Sequence, residues 1–195
     1  MPRLNTDSLA AQRTWRRSQL LDAAAAIALE SHGGSVSVSA IATRAGLSRT
    51  TFYEYFESTS EIVAELITQE LNTFSAHLEA ATKQADSAEE AISLWIENSL
   101  AYVADGRHLL AKTLSSIEIS RDRSAVIGIA HRRMLSCLIE PLQQIGITDA
   151  SQALALIQSA TDAATRRIES GHESELEIST TSAFIMAGLR TISTR

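Results

Sequence analysis

The stretch SVSAIATRAGLSRTTFYEYF, residues 37–56, carries the residue spacing that decides the fold of the first third of the chain. Ile41 and Ala42 fall on one face of a short helix, and the small side chain of Ala42 allows a second helix to cross closely. Gly46 can adopt the positive φ that a tight turn between the two helices requires. The pattern therefore predicts two short helices packed at a steep angle, which is a helix-turn-helix.

The second of these helices has an apolar side and a polar side. Ser48 can cap its start, and Phe52 with either Tyr55 or Phe56 returns apolar surface to the core at helical spacing. The side chains left facing outward are Arg49, Thr50 and Tyr53. Guanidinium, hydroxyl and phenol groups suit the base edges and phosphates of a DNA major groove, so we predict that this face reads DNA.

The first sixty or so residues resemble the DNA-binding domain of the tetracycline-repressor (TetR) family of transcriptional regulators. The residues that carry the resemblance are Arg17, Leu20, Leu21, Ala23 and Ala24, then Ser37-Val38, Ile41-Ala42, Ala45-Gly46-Leu47-Ser48 and Phe52-Tyr53-Glu54-Tyr55-Phe56. The resemblance implies a DNA-binding domain over residues 1–60 and a helical ligand-binding and dimerisation domain over residues 61–195. Thr59 stands where the family often has a lysine.

We expect two kinds of DNA contact. Groove recognition is assigned to Arg49, Thr50 and Tyr53, whereas the residues placed for phosphate contacts are Arg16, Arg17, Ser37, Ser48, Tyr55 and Thr59. The formal net charge of the chain is −6, but it is segregated: residues 1–60 sum to +1 and the remainder to −7, with +3 in the first seventeen residues. We therefore expect DNA binding that depends on a few well-placed contacts and that weakens with salt.

Composition and motifs exclude several other classes of protein. No run of eighteen apolar residues occurs and the polar N-terminus precedes no hydrophobic segment, so we expect no membrane span, no signal peptide and a cytoplasmic location. Cys137 is the single cysteine, and its apolar helical surroundings favour a buried thiol over a redox sensor. The five histidines have no metal-ligand spacing, and no phosphate loop or nucleophile motif appears. We predict no metal, no cofactor and no enzymatic activity.

The remainder of the chain has helical periodicity and no alternating strand pattern, so the fold class is all-α. The S-x-x-E pairs at Ser58 and Ser87 are capping boxes that predict helix starts. The predicted helices run from Ser8 or Gln12 to Ser31, then approximately over residues 37–44, 48–55, 58–83, 87–105, 107–118, 123–146 with a kink at Pro141, 149–171 and 174–193.

The last two helices are rich in small and aliphatic residues that allow close helix contact. The resemblance implies that they form a four-helix bundle with a second copy, and a dimer is what a palindromic DNA site requires. The predicted interface consists of Ala153, Ile157, Ala160, Ala164, Thr181, Ile185, Gly188 and Leu189. Packing inside a single subunit remains the alternative for at least half of them.

The resemblance also implies a small-molecule effector that binds among the middle helices and changes the separation of the two DNA-reading heads. The candidate lining residues are Trp95, Asn98, Tyr102, His108, His131, Met134, Leu138, Gln158 and Asp162. An ordinary core is the alternative for this aromatic and methionine stripe. We therefore expect a homodimeric, effector-responsive repressor at a palindromic operator on double-stranded DNA; a transcriptional activator of the same fold and a helical protein-interaction module remain alternatives.

Overall fold

The computed structural model describes residues 6–115, 117 and 121–193, and within those ranges it contains ten helices and no strand. Arg3, one of the N-terminal arginines behind the predicted basic segment, lies outside the described residues. The helices are α1 (Thr6–Ser31), α2 (Val38–Arg44), α3 (Arg49–Tyr53), α4 (Thr59–Thr82), α5 (Ala88–Ala104), α6 (Leu109–Ser115), α7 (Arg121–Ser136), α8 (Ile139–Gln144), α9 (Ala150–Glu169) and α10 (Ser174–Ile192). The predicted all-α class is confirmed.

Side-chain caps set the starts of α4, α5 and α9. The Ser58 hydroxyl accepts a hydrogen bond from the Glu61 N–H at 3.2 Å, and the Ser87 hydroxyl accepts one from the Glu90 N–H at 3.2 Å. At α9, an Asp149 carboxylate oxygen accepts from the Gln152 N–H at 3.0 Å, and this bond lowers the pKa of Asp149. Because such bonds satisfy N–H groups that have no partner within the helix, these three helices begin where the sequence predicted.

The prediction of one kinked helix over residues 123–146 is wrong. The α-helical hydrogen-bond pattern is interrupted at residues 137 and 138, where the Leu138 N–H donates to the Leu135 carbonyl three residues back, and two separate helices, α7 and α8, flank this break. Pro141 is the third residue of α8, where its missing N–H removes no helical hydrogen bond, so it belongs to a helix start and not to a kink. The other differences are smaller: α1 begins earlier, at Thr6, and α6 is shorter than predicted.

The chain divides into two packed units: Met1–Glu70 with Leu109–Ile127, and Leu71–His108 with Gly128–Arg195. In the first unit, α1 packs against both α2 and α6, and α2 packs against α3. Its fully buried side chains include Leu20, Ile41, Phe52 and Ile62. The functional boundary predicted at residues 60 and 61 stays a prediction, since the packing units divide within α4, after Glu70.

The second unit is built around α5, which packs against α8, α9 and α10. Trp95 is 2% exposed, and its indole N–H donates to the Met134 carbonyl at 3.2 Å, which satisfies the one polar group of this large side chain. The core around it contains Leu78, Ile92, Ile96, Leu100, Met134, Leu135, Leu138, Leu142, Ile147, Ala153, Ile157, Ala164, Ile185, Met186 and Leu189. The residues on the break between α7 and α8 are thus tied to this core through Leu138.

We expect Leu138→Ala to lower the free energy of unfolding by about 2–5 kcal/mol, because it removes buried methyl groups and leaves a cavity in a close-packed core. The adjacent substitution Ile139→Ala is the matched control, since Ile139 is 40% exposed and should cost under about 1 kcal/mol. Urea unfolding of both variants at one protein concentration measures the difference. Equal losses for the two variants would contradict the assignment of Leu138 to the core.

Candidate functional site

The turn between α2 and α3 has the geometry that the sequence predicted. Gly46 has φ +66°, and a Cβ built on it meets no atom within 4 Å, so backbone conformation alone makes glycine the favoured residue. The Leu47 N–H donates to the Ala42 carbonyl at 2.9 Å across the turn. Ile41 and Ala42 are 0% and 2% exposed, so the inner face of α2 is fully packed.

Helix α3 begins with a side-chain cap and is anchored by two aromatic rings. The Ser48 hydroxyl accepts from the Thr51 N–H at 3.0 Å. Phe52 is 0% and Phe56 2% exposed, and their ring centroids are 5.7 Å apart. Tyr55 is half-buried, so Phe56 is the second aromatic anchor of the two that the sequence left open.

The outward side of α3 presents Arg49, Thr50 and Tyr53. All three are exposed, and Tyr53 keeps 53% of its surface accessible although its ring meets Phe52 edge-on at 5.6 Å. A short helix therefore offers a guanidinium, a hydroxyl with a methyl group, and a phenol on one side. These groups can hydrogen-bond to base edges and to phosphate oxygens, which is the chemistry of major-groove recognition.

The residues predicted to contact phosphate lie in three environments. The Ser37 hydroxyl caps α2 by accepting from the Ala40 N–H at 3.3 Å, as Ser48 caps α3, and both serines are exposed. Thr59 is half-buried as the first residue of α4. A hollow of about 510 Å³ lies between α1 and the end of α3 and is lined by Leu9, Gln12, Arg13, Arg16, Glu54 and Tyr55. Arg13, which lies 5.8 Å from the Tyr55 ring, adds a second cation to this hollow.

Arg16 and Arg17 do not act as a pair, although they are adjacent in sequence. Arg16 lines the hollow beside Tyr55, whereas Arg17 forms an ion pair with Glu65 on α4 and lies over the Phe56 ring at 5.1 Å. Sequence reasoning could not find this contact, because Arg17 and Glu65 are separated by 48 residues.

An exposed ion pair holds α2 against α1. Arg44 donates two hydrogen bonds to Glu30, at 2.7 and 2.8 Å, one to each carboxylate oxygen. These hydrogen bonds lower the pKa of Glu30 below its ordinary value and raise that of Arg44. The pair helps to orient the helix-turn-helix, and Arg44 is thereby engaged within its own unit.

In the second unit, three of the predicted ligand-binding residues lie in the close-packed core. They are Trp95, Met134 and Leu138, whose exposed fractions are 2%, 8% and 0%. All three belong to the same cluster of buried hydrophobic residues. A role for them in ligand binding stays a prediction, and it would require this core to open. Asp162, by contrast, is exposed on α9.

The polar candidates of the second unit are paired with other residues. His131 and Gln158 share a hydrogen bond of 2.7 Å, and the Asn98 amide donates to the Leu94 carbonyl at 2.8 Å. His108 Nε2 lies 2.8 Å from the Glu169 carboxylate, while its buried Nδ1 has no hydrogen-bond partner. Tyr102 is stacked on Phe74 with ring centroids 4.2 Å apart, and Arg107 lies 4.3 Å from its ring.

Surface hollows in the second unit lie away from most of these side chains. The hollow of about 400 Å³ that includes Asn98 is lined also by Glu97, Ala101, Glu175, Ile178 and Ser179. A larger hollow of about 620 Å³ is lined by Glu89, Gln144, Ile145, Gly146, Met186, Leu189, Arg190 and Ser193, none of which the sequence singled out as ligand-binding.

The predicted dimer interface requires a correction. Five of its residues are buried within their own chain and cannot form an intersubunit surface: Ala153, Ile157, Ala164, Ile185 and Leu189. Ala160 and Thr181 are half-buried, and Gly188 is exposed. Small side chains allow close helix contact with any neighbour, and here the neighbours lie in the same unit.

Large apolar side chains stand among polar ones on the outward faces of α9 and α10. Leu156 is 58% exposed on α9, and on α10 Leu176 is 58% and Phe184 72% exposed. Small exposed residues surround them: Ala155, Ser159 and Ala163 on α9, and Ala183, Ala187 and Gly188 on α10. Phe184 could have indicated this face from the sequence, because it is a large aromatic residue among small ones. It lies on the side of α10 opposite the buried residues Ile185 and Leu189.

Cys137 is half-buried, and burial raises the pKa of its thiol to about 11. The thiol therefore stays protonated near neutral pH, which makes it a poor nucleophile. Among the residues with described structure, no three His, Cys, Asp or Glu side chains are grouped as a metal site would need. A search of the described helices likewise finds none with the length and apolar character to traverse a lipid bilayer.

Comparison with known proteins matches these features to one family. Residues 20–66 match the model of the bacterial regulatory proteins, tetR family. The fatty acid metabolism regulator protein of Bacillus subtilis (strain 168) is 30% identical over 100 residues, which are 51% of this chain and 51% of that protein. The chain thus matches about half the length of this relative.

Solved structures share the fold. The transcriptional regulator FadR from Bacillus subtilis in complex with stearoyl-CoA matches with a TM-score of 0.73 and 20% identity, covering 88% of this chain and 98% of that one. A TetR-family transcriptional regulator from Streptomyces coelicolor matches with a TM-score of 0.71 and 22% identity, and the match covers 99% of this chain and 98% of that one. The matched residues 20–66 contain the helix-turn-helix described above, so this segment is similar to the DNA-binding part of the tetR family of bacterial regulatory proteins, and the chain shares the all-helical fold of these solved structures.

Proposed function

We propose that this chain is a homodimeric repressor that binds a palindromic operator through α3 and is released from it by a small-molecule effector. The observation that carries the proposal is the outward set of Arg49, Thr50 and Tyr53, held in place by the buried rings of Phe52 and Phe56. The proposal places the protein in the cytoplasm with the chromosome and assigns it no enzymatic activity.

Recognition is divided between base edges and phosphates. Arg49 can donate two hydrogen bonds to guanine O6 and N7, and Thr50 can offer a hydroxyl or a methyl group to a neighbouring base. We assign backbone phosphates to Tyr53, Arg13 and Arg16 of the same unit, with the exposed Ser37 and Ser48 hydroxyls as further candidates. Thr59 and Tyr55 are half-buried and would contribute at the edge of this surface.

A twofold partner is required because a single recognition helix reads only one half of a palindrome. The exposed apolar side chains Leu156 on α9 and Phe184 on α10 are the candidates for contact with this partner. Exposed apolar side chains of this size, set among small residues, suit close contact with the same face of a second copy. Dimerisation by this face replaces the inward residues that the sequence had suggested.

The effector class follows from the relatives. The fatty acid metabolism regulator and the structure in complex with stearoyl-CoA make long-chain acyl thioesters of coenzyme A the first class to test for this chain. An acyl chain needs apolar surroundings, and the second unit offers them around Trp95 and Leu138 if the core opens. A ligand can shift operator binding only if it binds the released conformation more tightly than the DNA-bound one.

The two alternatives are separated by direct measurements. An activator of the same fold would bind the same operator but raise transcription, because polarity depends on the position of the operator relative to the promoter. A protein-interaction module would show no sequence-selective, salt-dependent binding to duplex DNA. Selection of bound fragments from a random duplex library by the purified protein distinguishes this module from a regulator and supplies the operator for the tests below.

We expect Arg49→Ala to weaken operator binding by about 1–3 kcal/mol and to relax the preference at one base pair in each half-site, because the bidentate contact is lost. Arg132→Ala removes the same charge from an exposed position on α7 and should leave binding unchanged. Binding isotherms on operator variants at fixed salt measure both effects. If Arg49→Ala binds every operator variant as the wild type does, the groove contact assigned to Arg49 is wrong.

We expect Phe184→Asp to convert the dimer to a monomer of 21.1 kDa, since association would bury an unpaired carboxylate in an apolar contact. Sedimentation equilibrium measures the mass, and circular dichroism checks that the variant stays folded. Ile139→Asp is the matched control, because Ile139 is also exposed and apolar but lies on α8. A Phe184→Asp variant that keeps the wild-type mass would exclude this face from the interface.

We expect stearoyl-CoA to release the operator and acetyl-CoA to leave it bound, because only the long acyl chain supplies apolar contact inside the second unit. Titration of each thioester into a preformed protein–operator complex, followed by fluorescence anisotropy, measures the release. If stearoyl-CoA leaves the complex intact, long-chain acyl thioesters are not effectors, and if acetyl-CoA releases the operator equally well, the long acyl chain is not the recognised group; operator recognition by α3 stands in both cases.

A further inference from the structure

The side chain of Arg17 connects three elements of the first unit. It extends from α1, forms an ion pair with Glu65 on α4, and places its guanidinium 5.1 Å from the ring of Phe56, which follows α3. Phe56 in turn contacts Phe52 on α3, with ring centroids 5.7 Å apart. A single cation thus touches both α4 and the aromatic pair that anchors the recognition helix.

Glu65 is held from a second side. Its other carboxylate oxygen, Oε1, accepts a hydrogen bond from the Gln69 side-chain amide at 3.0 Å, while Oε2 accepts from Arg17. Both oxygens of the carboxylate are therefore used within a network of Arg17, Glu65 and Gln69. Gln69 lies one residue before the point in α4 where the chain passes from the first unit to the second, after Glu70.

This ion pair differs from an ordinary surface pair. The side chains of Arg17 and Glu65 are 43% and 22% exposed, against 42% and 62% for the pair of Arg44 with Glu30. A partly buried carboxylate loses more by being left without a partner than an exposed one does. The Phe56 ring adds a cation–π contact that favours a flat guanidinium over the ammonium of a lysine.

The same geometry makes Arg17 a poor phosphate ligand. Its charge is neutralised by Glu65, so it would contribute little to the release of counterions on which phosphate contacts depend. Arg16, the adjacent residue, lines the open hollow with Arg13 and Tyr55 instead. The two arginines are therefore distinguishable by the salt dependence of DNA binding.

We propose that Arg17 is a positioning residue for operator binding, which fixes α1 and, through Phe56, the recognition helix α3 on α4 at Glu65. The inference rests on the proposed function and extends it, because it names a contact outside the recognition helix, the Arg17–Glu65 joint, on which operator affinity depends. Loss of either partner of the joint loosens α1 and the Phe56 ring against α4, although Phe52 and Phe56 stay buried.

The first test is a double-mutant cycle on the full-length dimer with the selected operator, using Arg17→Gln, Glu65→Gln and the double variant. Each single variant should weaken binding by a similar factor, roughly five- to tenfold, and the double variant should bind no worse than either, because all three break one interaction. The slope of log affinity against log salt should match the wild type in all three. Arg17→Lys should restore part of the affinity, since it retains the charge but loses the stack on Phe56.

Arg16→Gln is the matched control, and it should lower the magnitude of the salt slope by about 1.8, which is about 0.9 for each of the two phosphate contacts that the dimer loses. If Arg17→Gln lowers the slope in the same way while Glu65→Gln binds at least as tightly as the wild type, Arg17 is a phosphate contact and the proposal is wrong. Additive losses in the double variant would also overturn it, because independent sites do not share one interaction.

A second measurement needs no DNA. Spin labels are attached at Thr50→Cys on α3 and Asn72→Cys on α4, which are both exposed positions, in a Cys137→Ser background. The distance between the two labels reports the position of α3 relative to α4. Dilution of labelled chains with unlabelled ones removes distances between subunits. Arg17→Gln and Glu65→Gln should broaden the distance distribution relative to the wild type, and Arg16→Gln should leave it unchanged. Unchanged distributions in both network variants would refute the joint, whereas a protein that binds no operator would refute only the proposed function.

Discussion

Burial of Phe52 and Phe56 is the constraint on which the functional surface depends. The two rings lie against the core of the first unit with almost no exposure, and α3 is only five residues long. A helix this short has little surface of its own, so its rotation is set by the side chains that it buries. Once the rings face inward, Arg49 and Tyr53 must face outward, and the chemistry of recognition follows from the packing.

The contacts around α3 then fix its position at both ends. Gly46 closes the turn before the helix, the Ser48 hydroxyl accepts the Thr51 N–H, and the Phe56 ring lies under Arg17, which pairs with Glu65 on α4. Each contact is modest by itself. Their combination fixes the orientation of one polar surface, which is what selective contact with base edges requires, because hydrogen bonds to bases tolerate little misplacement.

The second unit follows a different principle. Its centre is a packed apolar cluster around Trp95, and the polar side chains near it, such as His131 with Gln158, are hydrogen-bonded to each other. This core is packed and its nearby polar groups are hydrogen-bonded without a ligand. An effector that binds inside it must therefore stabilise an alternative packing.

The sequence by itself determined the local structural features of this protein: the Gly46 turn, the Ser48, Ser58 and Ser87 caps, and the apolar side of α3. These depend on residues within about four positions of each other, so spacing alone reveals them. Only the tertiary structure decided which partner Arg17 takes, which face of α9 and α10 is buried, and where the α7–α8 region breaks. Those outcomes depend on side chains distant in the chain, and small or charged residues are compatible with either an internal contact or a free surface until the neighbours are in place.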